Sequence, residues 1–402
     1  MKKLFALLLA FLCLFLTACN NHHTNSTIGT GNPQNPTQPN ETELKDTIIY
    51  NNPRDFIDLP SRIVYTHANY LSNNHYIPQI HYYSKADGQS YAYCFDPLCE
   101  HESCLANPSN DLYNTLFVNN RFYEMSINGN IISYSFDGMD MKMEYDAGYD
   151  VNANAWSPNP TSYGNYIYIP MRADEKGNPH TLRFNTETGE MEDLTEKTGN
   201  YIFPTFFYNG EIYGYDAGVG RLKSDLDLNY CEEIEKIPYS SNFVGSCFFD
   251  TAFDEKNKKI GINIYDMKTG KSKVITNEAI GIENAPYILY VDENYIYFYQ
   301  QESIYLGDYL YRDDEVRKYT KGNDGSIYRI NHDGTGLMCI YEEDEFAITG
   351  FEATISGDQF LIKGQNIRVH DLQVETWDSG LLVGTIGADG KIDELKPVEV
   401  VE

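Results

Sequence analysis

The sequence predicts an all-β chain that folds as a β-propeller of seven blades, with six or eight blades as the alternatives. One turn signal recurs as Asp-Gly, Thr-Gly or a related pair between alternating apolar runs, which is typical of a β-hairpin. It stands at 84–89, 135–140, 185–190, 266–271, 331–336 and 387–392, with a glycine-free version at 224–229. Units of about 40–50 residues built from short strands are typical of propeller blades.

A second turn signal precedes most of the first ones and supports the same fold. It reads NNRFY, GNYIY, NGEIY, ENYIY and GDQFL, beginning at residues 119, 164, 209, 293 and 357. We expect it to lead into the second strand of each blade, so that both kinds of turn lie on one face of the ring. Two packed β-sandwiches are the rival fold, but they would not explain a nearly constant period.

The first residues predict export and a lipid anchor. Lys2 and Lys3 precede an apolar run over 4–16. This run is shorter than the roughly 20 residues that span a bilayer, but it is typical of a secretory signal peptide. The next residues, Leu-Thr-Ala-Cys ending at Cys19, resemble the lipobox of bacterial lipoproteins, in which the cysteine is acylated and the chain is cut before it. We therefore predict a signal peptide over 1–18 and an extracytoplasmic protein held to the cell membrane by lipid on Cys19.

Composition divides the rest of the chain into a tether and a folded domain. Residues 19–44 are rich in Asn, Thr and Pro and have little to bury, so we predict a disordered tether. Residues 45–402 are predicted to form the propeller. The formal net charge is −29, and removing the signal peptide takes away only two lysines. A chain this acidic is repelled by nucleic acid, so we expect no nucleic-acid partner and a membrane contact that depends on the lipid.

Long, irregular segments with exposed aromatic residues are predicted on the face opposite the repeated turns. One links the second and third blades over 148–165, one is an insertion over 300–325 in the sixth blade, and one is a loop of the seventh blade. Long loops in a compact fold are usually functional, and aromatic rings supply stacking area. The alternative is that these aromatic side chains only pack at the bases of the loops and bind no ligand. The predicted ligand-binding residues are Trp156, Tyr305, Tyr309, Tyr311 and Trp377.

A cluster of cysteines follows the last strand of the first predicted blade. Its members, Cys94, Cys99, His101 and Cys104, have the spacing C-x4-C-x-H-x2-C. An extracytoplasmic location favours a disulfide within the cluster, zinc bound by three thiolates and one imidazole is the alternative, and free thiols are the third possibility. We expect a structural role and, apart from this zinc, no cofactor. The isolated cysteines at 231, 247 and 339 are predicted to be small buried hydrophobic residues.

The same run carries a family resemblance. Cys94, Pro97, Cys99 and His101 form C-x-x-P-x-C-x-H with a further cysteine behind, which resembles a motif near the front of extracytoplasmic β-propeller lipoproteins of Firmicutes. Cys104 comes sooner here than in that family. The resemblance extends over the lipobox, tether, motif and repeats. It implies a surface propeller without an assigned activity and supplies no catalytic residues.

These features favour a lipid-anchored binding or scaffold propeller that engages a saccharide or a peptide. The chain has no G-x-S-x-G, H-E-x-x-H or phosphate-binding glycine loop. A glycan hydrolase or lyase that uses Asp313 or Asp314 is one alternative, and a structural component of an envelope protein complex is the other. The acidic run at 225–229 has calcium-loop spacing, but Tyr230 replaces the required glycine, so we interpret it as a blade turn.

Overall fold

The structure, a computed structural model, describes residues 46–49, 56–70, 76–94, 115–125, 130–135, 140–146, 160–171, 178–234, 242–310, 315–323, 325–342 and 346–401. All of them belong to one compact unit, Gly31–Glu402. The described residues form seven sheets, each built around four antiparallel strands that follow one another in the chain. The predicted seven-bladed β-propeller is therefore confirmed.

The strands of each blade are named a to d from the inside outwards. Blade 1 contains β2 (Phe56–Asp58), β3 (Arg62–Tyr70), β4 (Tyr76–Ser84) and β5 (Ser90–Ala92). Blade 2 contains β6 (Thr115–Val118), β7 (Arg121–Met125), β8 (Ile131–Ser135) and β9 (Met141–Tyr145). Blade 3 contains β10 (Thr161–Tyr163), β11 (Tyr166–Met171), β12 (His180–Asn185) and β13 (Met191–Asp193). Blade 4 contains β14 (Phe203–Tyr208), β15 (Glu211–Asp216), β16 (Gly220–Asp225) and β17 (Glu232–Glu233).

The remaining blades follow the same order, with longer strands in the last two. Blade 5 contains β18 (Phe243–Val244), β19 (Cys247–Phe253), β20 (Lys259–Asp266) and β21 (Lys271–Thr276). Blade 6 contains β22 (Pro286–Val291), β23 (Tyr295–Leu310), β25 (Ile327–Asn331) and β26 (Met338–Tyr341), with β24 (Val316–Asn323) paired to β23. Blade 7 contains β27 (Phe346–Ser356), β28 (Gln359–His370), β29 (Gln373–Thr385) and β30 (Lys396–Pro397).

A few short elements lie outside this scheme. β1 (Ile48–Ile49) pairs with strand a of blade 4, and β31 (Val400–Val401) pairs in parallel with strand d of blade 1, so the C-terminal end of the chain meets the first blade. In the described links between blades there are two one-turn helices, α1 (Leu194–Thr198) and α2 (Asn277–Ile280). In the part of the chain that the structure describes, we find no helix with the length and apolarity needed to cross a membrane.

Among the described residues, the core consists of seven apolar clusters, and each of them joins two consecutive blades. Successive side chains of a strand point to opposite sides, so a blade buries both of its faces. In strand b of blade 6, Ile296 and Phe298 pack toward blade 5 while Tyr297 and Tyr299 pack toward blade 7. Many of the 34 tyrosines therefore fill interfaces between blades rather than a binding surface.

The repeated turns occupy the positions expected from the sequence. The first signal connects strands c and d, and the second connects strands a and b. Because the four strands are antiparallel, all these turns lie on one face of the ring, named the turn face, and the b–c and d–a connections lie on the opposite loop face. Of the signal at 135–140, residues 136–139 lie outside the described residues, but the strands on both sides are in place.

The glycine-free signal at 224–229 is confirmed as the c–d turn of blade 4. Oδ1 of Asp225 accepts the backbone N–H of Asn229 at 2.8 Å, and Asp227 forms an ion pair with Arg183 at 2.7 Å. These carboxylates therefore have protein partners, which supports a structural turn. Across the described ranges, no three His, Cys, Asp or Glu side chains are grouped so as to hold a metal ion.

Glu124, in strand b of blade 2, is a buried carboxyl group with 3% of its surface exposed. Burial raises its pKa above the ordinary 4.5, and the hydroxyl of Tyr134, 3.3 Å from Oε2, partly opposes the rise. Because the folded-state pKa lies above the unfolded one, the protonated carboxyl favours folding. This contribution is complete below the unfolded pKa and is lost as the pH rises through the folded pKa.

We therefore expect Glu124→Gln to raise stability at about pH 8 and to change it little at about pH 4, since glutamine stays neutral and still accepts the Tyr134 hydroxyl. Denaturant midpoints measured at both pH values check this. Glu187→Gln, in an exposed turn, is the control and is expected to have no effect at either pH. An equal gain at both pH values for Glu124→Gln would contradict the burial argument.

Candidate functional site

Two long hairpins from blades 6 and 7 form a distinct structure on the loop face. Strand b of blade 6 continues past the blade, and its outer part pairs with β24 from Gln301 opposite Asn323 to Leu310 opposite Val316. In blade 7, β28 and β29 stay paired out to His370 opposite Gln373. Residues 301–310, 316–323 and 366–377 are named the hairpin platform.

The two hairpins contact each other near their tips. The backbone N–H of Leu310 donates to the carbonyl of Leu372 at 2.9 Å. Further down, a Cβ placed on Gly307 would lie 2.9 Å from Cγ1 of Val369, which is closer than real side chains approach. Glycine at 307 therefore permits the contact between the hairpins.

Asn323 joins the base of the blade 6 hairpin to blade 7. Its side chain is buried, with 2% exposed. Oδ1 accepts the backbone N–H groups of Ile348 at 3.2 Å and Gly325 at 3.0 Å, and Nδ2 donates to the carbonyl of Ile348 at 3.2 Å. The asparagine thus binds strand a of blade 7 as a neighbouring strand would, and it holds the hairpin against the ring.

One side of the blade 6 hairpin presents an exposed aromatic ring with polar groups around it. Tyr305 is 54% exposed, and its hydroxyl donates to Oδ1 of Asp308 at 2.9 Å. That bond raises the pKa of Tyr305. Nζ of Lys318 lies 5.7 Å from the ring centroid, and Thr320 stands directly opposite Tyr305 in the register. These four residues are named the Tyr305 face.

Lys318 has its charge available on this surface. Among the described residues it forms no ion pair, and its contact with the Tyr305 ring is a cation–π interaction. The neighbouring Arg317, by contrast, is paired with Glu315 at 2.9 Å. The Tyr305 face therefore combines a ring, a carboxylate, an ammonium group and a hydroxyl.

The other side of the same hairpin is aromatic as well. The rings of Tyr309 and Tyr319 meet edge to face, with centroids 5.6 Å apart. Burial raises the pKa of Tyr319. Gly307, which contacts Val369, stands opposite Tyr319 in the register, so this side belongs to the contact with blade 7.

The structure places the predicted aromatic residues as follows. Tyr305 and Tyr309 lie in the predicted insertion of blade 6, but on opposite sides of it, and the insertion is a paired hairpin rather than a loop. Trp377 lies in strand c of blade 7 opposite Asn366, where the sequence predicted a loop, because the b–c connection continues as regular pairing. Trp156 and Tyr311 lie outside the described residues.

The predicted cysteine cluster is described only at its first member. Cys94 follows strand d of blade 1, as expected, while Cys99, His101, Cys104 and the predicted lipidation site Cys19 lie outside the described residues. The disulfide and the zinc site therefore stay predictions.

The isolated cysteines are less buried than predicted. Cys231 and Cys247 are half-buried, because each lies at the edge of an apolar cluster between blades rather than within it. Burial raises the pKa of both thiols, which makes them poor nucleophiles at neutral pH. Cys339, in strand d of blade 6, is half-buried too.

Sequence reasoning missed three members of the Tyr305 face. Asp308, Lys318 and Thr320 are ordinary polar residues, and they acquire a site only by cross-strand pairing with one another and with Tyr305. The available signal for a strand was the content of β-branched and aromatic residues in VRKYT over 316–320, namely Val316, Tyr319 and Thr320.

No protein-family model matches the chain, and no curated protein matches it. Among solved structures, the β-propeller domain of the Trilobed protease from Pyrococcus furiosus is similar at 11% identity, over 87% of this chain and 95% of that one, with a TM-score of 0.43. An oligogalacturonate lyase from Vibrio parahaemolyticus is similar at 12% identity, over 86% and 100%, with a TM-score of 0.42.

A third similar structure is the extracellular domain of a one component system from B. thetaiotaomicron, at 12% identity over 83% of this chain and 39% of that one, with a TM-score of 0.35. At these identities and TM-scores the similarity concerns only the arrangement of strands, and we infer no activity or ligand for this chain from it. The chain is a seven-bladed β-propeller on the basis of its own sheets.

Proposed function

We propose that this protein is an extracytoplasmic binding module, anchored by lipid on Cys19, that binds a saccharide on the Tyr305 face. The anchor is supported by the basic residues, the apolar run and the lipobox-like ending of the first 19 residues. Binding is supported by the hairpin platform, which extends from the loop face and is held by contacts with blade 7.

The observation that carries the proposal is the exposed ring of Tyr305 beside three polar groups. A tyrosine ring supplies rigid apolar area to the C–H face of a sugar, and binding sites usually combine such area with a few polar groups that fix orientation. Asp308 accepts hydrogen bonds from sugar hydroxyls, Lys318 donates them, and Thr320 does both. Asp308 is already oriented by Tyr305.

The glycan hydrolase or lyase is the second candidate. It would use Asp313 or Asp314, which lie outside the described residues and fall between β23 and β24 in the sequence. Turnover and binding are therefore measured on the same samples. Hydrolysis or elimination lost in Asp313→Asn or Asp314→Asn would replace the binding proposal with an enzyme.

Tyr305→Ala is expected to weaken saccharide binding about tenfold or more, since it removes the stacking ring and the hydrogen bond that orients Asp308; tenfold corresponds to about 1.4 kcal/mol. Tyr305→Phe keeps the ring and is expected to retain most of the affinity. The measurement is a screen of cell-wall and capsular saccharides on an array, followed by calorimetric titration of the best binder.

Tyr230→Ala is the matched control. Tyr230 is 38% exposed and also donates to a carboxylate, Oε1 of Glu211 at 2.8 Å, but it lies on the turn face. Affinity is expected to stay unchanged in this variant. Equal loss in both variants, or no loss in Tyr305→Ala, would contradict the assignment of the site.

Binding of peptides and of no saccharide would overturn the proposed ligand class. Recovery of an envelope protein by crosslinking, without any saccharide binding, would favour the structural alternative.

A further inference from the structure

The residues just before the first blade lie in the ring rather than outside it. β1 pairs antiparallel with strand a of blade 4, with Ile48 opposite Tyr208 and Ile49 opposite Phe207. Strand a is the innermost strand of its blade, so β1 covers an edge that faces the central channel. Blade 1, to which the chain then continues, lies on the other side of the ring.

Apolar packing holds this strand firmly. Ile48 is only 2% exposed and belongs to the cluster between blades 4 and 5, together with Phe206 and Phe248. Ile49 packs instead against the cluster between blades 3 and 4. The backbone N–H of Ile48 also donates to the carbonyl of Gly245, in the a–b turn of blade 5, at 2.8 Å. The strand is thus bound to three consecutive blades.

Polar contacts fix the start of the strand at the turn face. The backbone N–H of Asp46 donates to Oδ1 of Asn209, in the a–b turn of blade 4, at 2.8 Å. The carboxylate of Asp46 forms an ion pair with Lys268, in the c–d turn of blade 5, at 2.6 Å, and it accepts the hydroxyl of Tyr208 at 3.4 Å. The pair raises the pKa of Lys268.

The direction of the chain follows from these contacts. Asp46 lies among turns of blades 4 and 5, and Ile49 lies deeper, because β1 is antiparallel to a strand that ends at the turn face. Asp46, the first described residue, therefore lies at the turn face. The hairpin platform extends from the opposite, loop face.

We propose that β1 is a latch that fixes the point at which the predicted tether joins the propeller, so that, averaged over the positions that the tether allows, the turn face lies nearer the membrane than the hairpin platform does. This inference rests on the proposed attachment at Cys19. It deepens the binding proposal, since a platform that faces outward meets polymers of the cell envelope or the surroundings rather than the lipid headgroups. A force applied through the tether would act on blades 3, 4 and 5. It would not act directly on the contact between β31 and strand d of blade 1.

Energy transfer to a membrane dye tests the orientation. The mature lipidated chain is placed in vesicles that contain an acceptor lipid, and a donor is attached through a genetically encoded keto amino acid at one of two exposed positions of blade 7. Ala388 lies in a turn on the turn face, and Gln373 lies at the tip of the hairpin on the loop face. We expect clearly greater transfer from Ala388. Equal or greater transfer from Gln373 would overturn the proposal.

Two further experiments test the role of β1 and the lipid attachment separately. Asp46→Ala combined with Lys268→Ala, and more strongly Ile48→Asp, are expected to reduce the difference between the two donors; an undiminished difference would show that β1 does not set the orientation. If the lipidated chain does not attach to vesicles, the anchor proposal has failed. The same two donors are then measured on a chain that carries an N-terminal histidine tag before residue 20 and is bound to nickel-chelating lipid, which tests the orientation alone.

Discussion

Phe298→Ala is expected to lower the free energy of unfolding by about 3–5 kcal/mol, the usual cost of truncating a fully buried phenylalanine. Phe298 is 0% exposed and packs with Phe249 and Ile330 in the cluster between blades 5 and 6. Its ring also stacks on Tyr328, with centroids 5.7 Å apart. Truncation leaves a cavity between two blades whose contact helps to close the propeller. The neighbouring strands are held by their own pairing and cannot fill this cavity.

Denaturant unfolding of the two proteins measures this loss. Phe253→Ala is the control, since Phe253 lies in the neighbouring blade 5 but is 54% exposed, and it is expected to change the midpoint by little. A midpoint shift for Phe298→Ala no larger than that of Phe253→Ala would mean that blades 5 and 6 do not pack as described.

Asn323→Ala is expected to cost about 2–4 kcal/mol and to weaken binding at the Tyr305 face. The substitution leaves the buried N–H and carbonyl of Ile348 without partners, and each buried group that loses its hydrogen bond costs about 1–3 kcal/mol. The base of the hairpin loses both of these hydrogen bonds to blade 7 at the same time. Because Tyr305 lies on this hairpin, we expect reduced saccharide affinity as well as a lower unfolding midpoint.

A pair of comparison variants shows that the effect comes from these bonds. Asn323→Asp keeps an acceptor for the Ile348 and Gly325 N–H groups but places a buried carboxylate against the Ile348 carbonyl, so we expect a loss at about pH 7 at least as large as that of Asn323→Ala and a smaller loss at about pH 4. Asn294→Ala changes an exposed turn residue and is expected to be neutral. Full stability in Asn323→Ala would contradict the proposed role of this residue at the hairpin base.

Prediction from sequence succeeded best where a local pattern repeats. The Asp-Gly and Asn-Gly turns depend on residues two or three apart, and the strands between them show a simple alternation, so the blade count and the turn face followed from the sequence. A single turn would not have been sufficient; the repetition at a nearly constant spacing made the propeller identifiable.

The candidate site shows where such reasoning fails. In an unbroken strand Tyr305 and Tyr309, four residues apart, would point to the same side. The register shifts between Tyr305 and Gly307, where one extra residue forms a bulge, and the following side chains therefore change sides. As a result Asp308, rather than Tyr309, lies beside Tyr305. The bulge depends on the pairing with β24, which no local pattern reveals.

The sequence by itself determined the fold class, the seven blades and the assignment of the repeated turns to one face, because these depend on contacts between residues close together in the chain. Only the tertiary structure decided that the segment of Asp46 and Ile48 enters the ring at blade 4, that two hairpins meet through Gly307 and Val369, and which side chains surround Tyr305. These features join residues far apart in the chain, and their partners are selected by the packing of blades that the sequence pattern describes only one at a time.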